Sequence, residues 1–430
     1  MSGRLRLESL EKLGWRFGLQ TIQVLLDELG RPELSLKVVH VAGSNGKGST
    51  CAFMASFLKH CGYKTGLYTS PHLSDIRERF RINGVWITEA DFKIHSGKVL
   101  EACRRVEKKL GHLPTHFEAL TAIAFSWFEE QRVDWVVLEV GLGGRLDATN
   151  VIAAPALSLI TPISLEHQNI LGKRIEKIAW EKAGILKPGC MAASLQYDSK
   201  AGRVVDQMAR KKGALLWLAG RDFIFRKNPK GFYWEGPGLR AEFHLPHSTD
   251  YQATNAALAV AGIQALQTQG VFASPRAIQK SILAMLWPGR MEEISRRPLV
   301  VMDGAHNPDA ARALLNSLKS RYPNKHWIVL NGFLSDKNYA SFTRILAPIT
   351  ALSIVTQPFS ERAEDGGKVF QAWERAGAKA VFIRDWRQAL LFSCAKINLS
   401  QNGGLLITGS LYLIGDCRKA WRDAGQLSKI

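Results

Sequence analysis

Residues 40–50, HVAGSNGKGST, set three glycines, a lysine and three hydroxyl residues between an apolar run and a helical pattern. Gly43, Gly46 and Gly48 allow backbone N–H groups to converge on an anion at the N-terminus of a helix beginning near Ser49. Lys47 supplies a point charge, and Ser49 or Thr50 can offer a hydroxyl to a phosphate oxygen or a metal. The spelling departs from strict GxxxxGK followed by Ser or Thr, because residue 41 is valine and Gly48 separates Lys47 from Ser49. The physics survives the departure, and the stretch reads as a phosphate cradle.

Other residues could serve the same chemistry. Glu139 ends the apolar run WVVLEV, where an acid either binds metal or is a costly unpaired charge. In RIEKIAWEKAGIL the apolar stripe runs Ile175, Ile178 and Ala179, then Lys182, then Leu186 at helical spacing. A lysine on a buried stripe has a lowered pKa and exposes a neutral amine, which can add CO2 to give a metal-holding carbamate. Its ordinary alternative is a snorkelling side chain whose ammonium reaches water.

Parallel strands must position these groups. Val-, Ile- and Leu-rich runs recur between helical patterns: KVVHVAG, TGLYTSP, VDWVVLEVG, PALSLITPI and CMAASLQ. TSPHL follows the second run, so Ser70 and His72 emerge at the same edge as the cradle, with His72 as turn scaffolding. Residues 221–245 read as an antiparallel ribbon, and a helix is expected near 252–268. LWPGRMEEISRRP, residues 286–298, reads as an interdomain linker, after which the α/β rhythm restarts. The expected class is α/β, with a P-loop-type doubly wound N-terminal ATPase domain over 1–290 and a smaller Rossmann-like C-terminal domain over 296–430.

A chain of 430 residues is too long for one core, so its length alone implies two or three domains. The formal charge of +19 attracts polyanions, but no zinc knuckle or aromatic-interleaved basic run points to nucleic acid. Six cysteines form no CxxC pair, which suits a reducing cytosol. The first residues lack the apolar core of a signal peptide, and no apolar run approaches membrane-spanning length. A cytoplasmic protein is expected.

VAGSNGKGST, YTSPHL, FEALTAIAF, LEVGLGGRLDATN, EHQNILG, EKAGILKPG, PGRMEE and DGAHNP occur in that order over about residues 10–415. Together they resemble the folylpolyglutamate synthase/dihydrofolate synthase family, a branch of the Mur ligase superfamily. The resemblance implies an ATP-dependent carboxylate–amine ligase that joins L-glutamate to dihydropteroate or to tetrahydrofolate polyglutamates through an acyl phosphate, acting as a monomer.

By match to the family, Asn45, Gly46, Lys47, Gly48, Ser49, Asn255, Arg290 and Asp303 bind ATP. Ser70, Glu139 and His167 hold magnesium, and a carbamylated Lys182 holds a second ion. Thr115, His116, Phe117, Glu118, Leu146, Asp147 and Ala148 line the pterin pocket, with Phe117 suited to stacking. GWRFGLQ is expected to add to that pocket. Lys47, Lys182 and His306 are the catalytic candidates, His306 orienting phosphate or glutamate with Asn307. Glu166 departs from the usual Asp-His spelling, and Thr115–Leu120 open an apolar helix whose ordinary role is core. A Mur-type UDP-N-acetylmuramyl peptide ligase shares the ATP parts, but LEVGLGGRLDATN is spelled as in the folate branch. A nucleotide-dependent switch or nucleic-acid ATPase would need neither a second metal nor an acceptor pocket.

Overall fold

The computed structural model describes residues 6–11, 13–14, 16–195, 199–245, 250–398 and 403–427. They form two compact units. The first comprises Met1–Ser70, Arg77–Ser248 and Gln252–Met285; the second comprises Pro71–Ile76, Thr249–Tyr251 and Leu286–Ile430.

The first unit is built on eight strands: β1 Val38–Ala42, β2 Thr65–Tyr68, β3 Phe80–Ile82, β4 Val85–Trp86, β5 Trp135–Glu139, β6 Leu157–Ile160, β7 Met191–Ser194 and β8 Leu215–Leu218. Their order is β4-β3-β2-β5-β1-β6-β7-β8. The pairings are parallel except for the hairpin at β2-β3-β4. The turn of that hairpin is Asn83-Gly84, both with positive φ, a pairing that favours tight hairpins. Every residue of β1 and β5 is buried, as expected of central strands covered on both faces. The 221–245 region is a three-stranded antiparallel sheet of β9 Ile224–Asn228, β10 Gly231–Gly236 and β11 Leu239–His244. The alanine-rich helix spans Asp250–Ala265.

The second unit has a six-stranded sheet ordered β12-β13-β17-β14-β15-β16. Its strands are β12 Glu292–Arg296, β13 Leu299–Met302, β14 His326–Asn331, β15 Thr350–Val355, β16 Ala380–Phe382 and β17 Gly403–Thr408. All pairings are parallel except β12 with β13. Residues Glu292–Arg296 of the expected linker are therefore an edge strand. Ile294 packs on the core while Glu292 and Glu293 anchor Arg418 and Arg321, which is why the stretch reads as polar. Leu73, from the early segment Pro71–Ile76, packs into the same unit against Gly289 and Ile414. Among the described residues no helix is long and apolar enough to cross a membrane.

One strand residue breaks the apolar pattern. His40 is fully buried at the middle of β1, and burial, with a smaller push from Lys187, drives its imidazole down to about 3. Between about pH 6.5 and 3 the unfolded chain takes a proton that the folded histidine refuses, so stability is lost as pH falls. The contribution is up to about 1.4 kcal/mol per pH unit. Replacing His40 by Gln is expected to flatten the pH dependence of the urea midpoint below pH 6.5, and an unchanged slope would count against this account.

Candidate active site

The helix Lys47–His60 starts at the end of β1, and Gly46 is its left-handed N-cap at φ +87°. A Cβ on Gly46 would lie 2.1 Å from Asn255 Oδ1, so loop and side chain meet only because the residue is glycine. Asn45 and Ser44 are tied to the strand behind them: both backbone N–H groups donate to Pro162 O, and Asn45 Nδ2 donates to Ser164 Oγ at 3.1 Å. The first N–H groups of such a helix lack intrahelical partners and face outward with the positive end of its dipole. Thr50 Oγ1, in the first turn, is buried with no hydrogen-bond partner.

Two lysines meet at the base of this loop. Lys47 Nζ donates to Gly43 O at 3.0 Å and to Ser44 O at 3.1 Å, and Lys182 Nζ donates to the same Gly43 O at 2.7 Å. Lys182 is 1% exposed and ends the helix Ile175–Lys182, so its ammonium does not snorkel. It pairs with Glu166 at 2.6 Å. Burial lowers the lysine's pKa, whereas the charges of Lys182 and Lys47 overcome burial and hold Glu166 well below the usual carboxylate range. Glu166 is thus a direct partner of the catalytic candidate. Its departure from the expected aspartate was the only sequence signal of that role.

Glu139 closes β5 beside β1 in register with Val41. It is buried, and its Oε2 accepts the Ser70 N–H at 3.0 Å, so the structure brings this predicted pair together. His167 follows Glu166 in a left-handed conformation, φ +45°. Among the described residues no group of three or more His, Cys, Asp and Glu side chains is arranged to hold a metal by itself. The donor chemistry nevertheless fits a hard cation shared with a phosphate: Glu139 offers a carboxylate, Ser70 a hydroxyl and His167 an imidazole, and Thr50 of the cradle carries an unpartnered hydroxyl.

The predicted pterin residues divide. Thr115 and Glu118 form a capping box at the start of the helix His116–Glu130, with Glu118 Oε2 accepting Thr115 N–H at 2.7 Å and Thr115 Oγ1–H at 2.8 Å. The spacing Thr-x-x-Glu before an apolar run was the readable signal for that cap. Phe117 lies over Gly141, where a Cβ would stand 2.5 Å from the ring, and beside Tyr68 at 6.2 Å between centroids. His116 is driven down to about 4 by burial and then by Arg79. Asp147 Oδ2 accepts Leu142 N–H at 2.8 Å, Leu146 is half-buried and Ala148 is buried. Trp15 of GWRFGLQ lies outside the described residues.

In the second unit Asp303 is buried, and its oxygens accept Tyr251 Oη–H at 2.7 Å, Met291 N–H at 2.8 Å and Ala305 N–H at 2.9 Å. The Arg290 guanidinium lies against Gly304, and His306 Nδ1 donates to Gly304 O at 2.8 Å. Asn307 caps the helix Pro308–Arg321. Asp303 therefore organises its own loop, a role its position in DGAHNP did not disclose.

A phosphate-loop α/β unit joined to a second parallel-sheet unit is the architecture of a Mur-type ligase, and residues 289–411 match the Mur ligase glutamate ligase domain. The chain is 33% identical to the dihydrofolate synthase/folylpolyglutamate synthase of Bacillus subtilis, covering 95% of this chain and 96% of that one. It belongs to the folylpolyglutamate synthase/dihydrofolate synthase family. The Mycobacterium tuberculosis folylpolyglutamate synthase solved with ADP and AMPPCP superposes with a TM-score of 0.90 at 30% identity, over 97% and 98% of the two chains. A bifunctional enzyme of Yersinia pestis solved with AMPPNP and Mn gives 0.83 at 29% identity, over 97% and 96%. These full-length likenesses favour the folate branch over the UDP-muramyl peptide ligases.

Proposed function

We propose that this chain is an ATP-dependent ligase that joins L-glutamate to dihydropteroate, to the glutamate tail of tetrahydrofolate, or to both. The observation that carries the reading is the meeting of two lysine ammoniums on Gly43 O beneath a glycine-rich helix N-terminus. Like charges brought together there call for an anion, which Glu166 supplies for Lys182 and a bound phosphate would supply for Lys47.

The first-turn N–H groups and Lys47 bind and orient the triphosphate, and Asn255 fixes the loop through Gly46. Phe117 and Asp147 hold the pteridine, leaving the substrate carboxylate to attack the γ-phosphorus of ATP as the β,γ P–O bond breaks and ADP departs. The acyl phosphate then meets the amine of glutamate, and the amide forms as phosphate leaves. Ser70, Glu139 and His167 would hold a divalent cation, which neutralises phosphate charge when bound.

Lys182 is the proposed carbamylation site. Once deprotonated, the ammonium's nitrogen forms a C–N bond to CO2, loses a second proton to solvent and becomes a carbamate anion, which dissolves the pair with Glu166. A carbamate signal from protein equilibrated with 13C-labelled CO2, absent in Lys182→Met, checks that step.

The test of the whole reading is glutamate incorporation with dihydropteroate, tetrahydrofolate and its one-carbon forms. No glutamate-dependent ADP release with any of them would remove it. Gly46→Ala is expected to weaken nucleotide binding about tenfold or more, because alanine in the left-handed region costs about 1–2 kcal/mol and its Cβ displaces Asn255. Calorimetric titration with ADP measures this directly.

A further inference from the structure

Asp147 is tied to the centre of the sheet by a hydrogen-bond chain that the reaction above leaves unused. His40 Nε2 lies 2.8 Å from Thr149 Oγ1, and that hydroxyl lies 2.6 Å from Asp147 Oδ1. An ionised carboxylate can only accept, so the single hydroxyl hydrogen of Thr149 goes to Asp147. The hydroxyl must then accept from His40. That fixes the imidazole as the neutral tautomer with hydrogen on Nε2.

The other ring nitrogen, Nδ1, is buried with no hydrogen-bond partner. An aliphatic residue would fill this place in β1 without stranding an acceptor, so packing alone does not account for a histidine here. The backbone donors to Asp147, Leu142 N–H on Oδ2, Thr149 N–H on Oδ1 and Gly141 N–H, come from its own loop. Among the described residues, the Thr149 hydroxyl, aligned by His40, is what ties the carboxylate to the sheet.

We propose that His40 is a positioning residue for the pteridine substrate: acting through Thr149, it holds the Asp147 carboxylate in the orientation that accepts the amino and ring N–H groups of a pteridine. The donor pair of that ring matches the two oxygens of a carboxylate. Burial presses Asp147 toward its protonated form, and the Thr149 hydroxyl opposes it. Loss of the chain would therefore cost both orientation and charge. The inference rests on Asp147 contacting the pteridine, as proposed above.

Thr149→Val and His40→Leu break the chain, whereas Thr149→Ser and His40→Gln keep a hydroxyl and a donor in place. The breaking variants are expected to raise KM for the pteridine substrate about tenfold while KM for ATP stays within about twofold. The conservative variants restore it, and the double breaking variant is no worse than either single one. A change shared equally by ATP, or conservative variants as impaired as the breaking ones, would overturn the role. Asp147→Asn separates the two layers. If it leaves the pteridine KM unchanged, the pocket reading fails; if it raises KM while Thr149→Val does not, the positioning role fails. Should His40→Leu not fold, the near-isosteric Thr149→Val carries the test. Nitrogen-15 spectra of histidine-labelled protein, with His40 assigned by His40→Gln, must show the Nε2–H tautomer; the Nδ1–H form would overturn the proposal.

Discussion

Replacing Lys182 by methionine is expected to lower kcat by about a thousandfold and to destabilise the fold by about 3–5 kcal/mol. The two losses have separate causes. Stability falls because Glu166, nearly as buried as its partner, is left as an uncompensated charge. Activity falls because a cationic or carbamylated group has gone from the base of the cradle. The double variant Lys182→Met, Glu166→Gln removes the stranded charge and should regain most of the stability while kcat stays low. Urea midpoints and steady-state rates decide it: a kcat within tenfold of the parent would show that Lys182 is only a core ion pair. Burying a pair of charges is a poor way to gain stability, since apolar residues of the same volume usually do as well. Its presence beneath the loop is better accounted for by chemistry.

Glu139→Gln should have a comparable effect on rate and almost none on folding. The amide oxygen can still accept the Ser70 N–H, so the end of β5 keeps its geometry and the melting temperature is expected to move little. What is lost is the negative charge that a divalent cation needs. A fall in kcat of about a hundredfold to a thousandfold is expected, together with a higher cation concentration for half-maximal rate. If rate and cation requirement are both unchanged, the carboxylate serves only to tie the β2 and β5 loops together.

Local signals were legible and long-range pairings were not. The cradle could be read because glycines, lysine and hydroxyls within 40–50 are neighbours in sequence as well as in space. Lys182 could be read because a charge on a helical apolar stripe is visible within two turns. Its partner could not, since Glu166 reaches it through a turn whose course no short window encodes. His40 looked like one more strand residue because its meaning depends on Thr149, 109 residues away. β12 looked like a linker because edge strands are polar, and the Asn83-Gly84 hairpin went unread although its turn pair was in plain view. Asp303 is expected at a nucleotide, and its three contacts with its own unit, to Tyr251, Met291 and Ala305, could not be read because two of them come from outside its motif.

The threading of the chain has a practical corollary for dissection. Leu73 and Tyr251 precede residue 286 by long stretches of sequence, yet one abuts Gly289 and Gly415 and the other grips Asp303. A fragment cut at 286 would lose a hydrophobic plug and a phenol that its own loops need, so the C-terminal segment cannot be transplanted as a free-standing cassette. Swaps between relatives will have to carry these two outlying pieces along, or supply replacements for them.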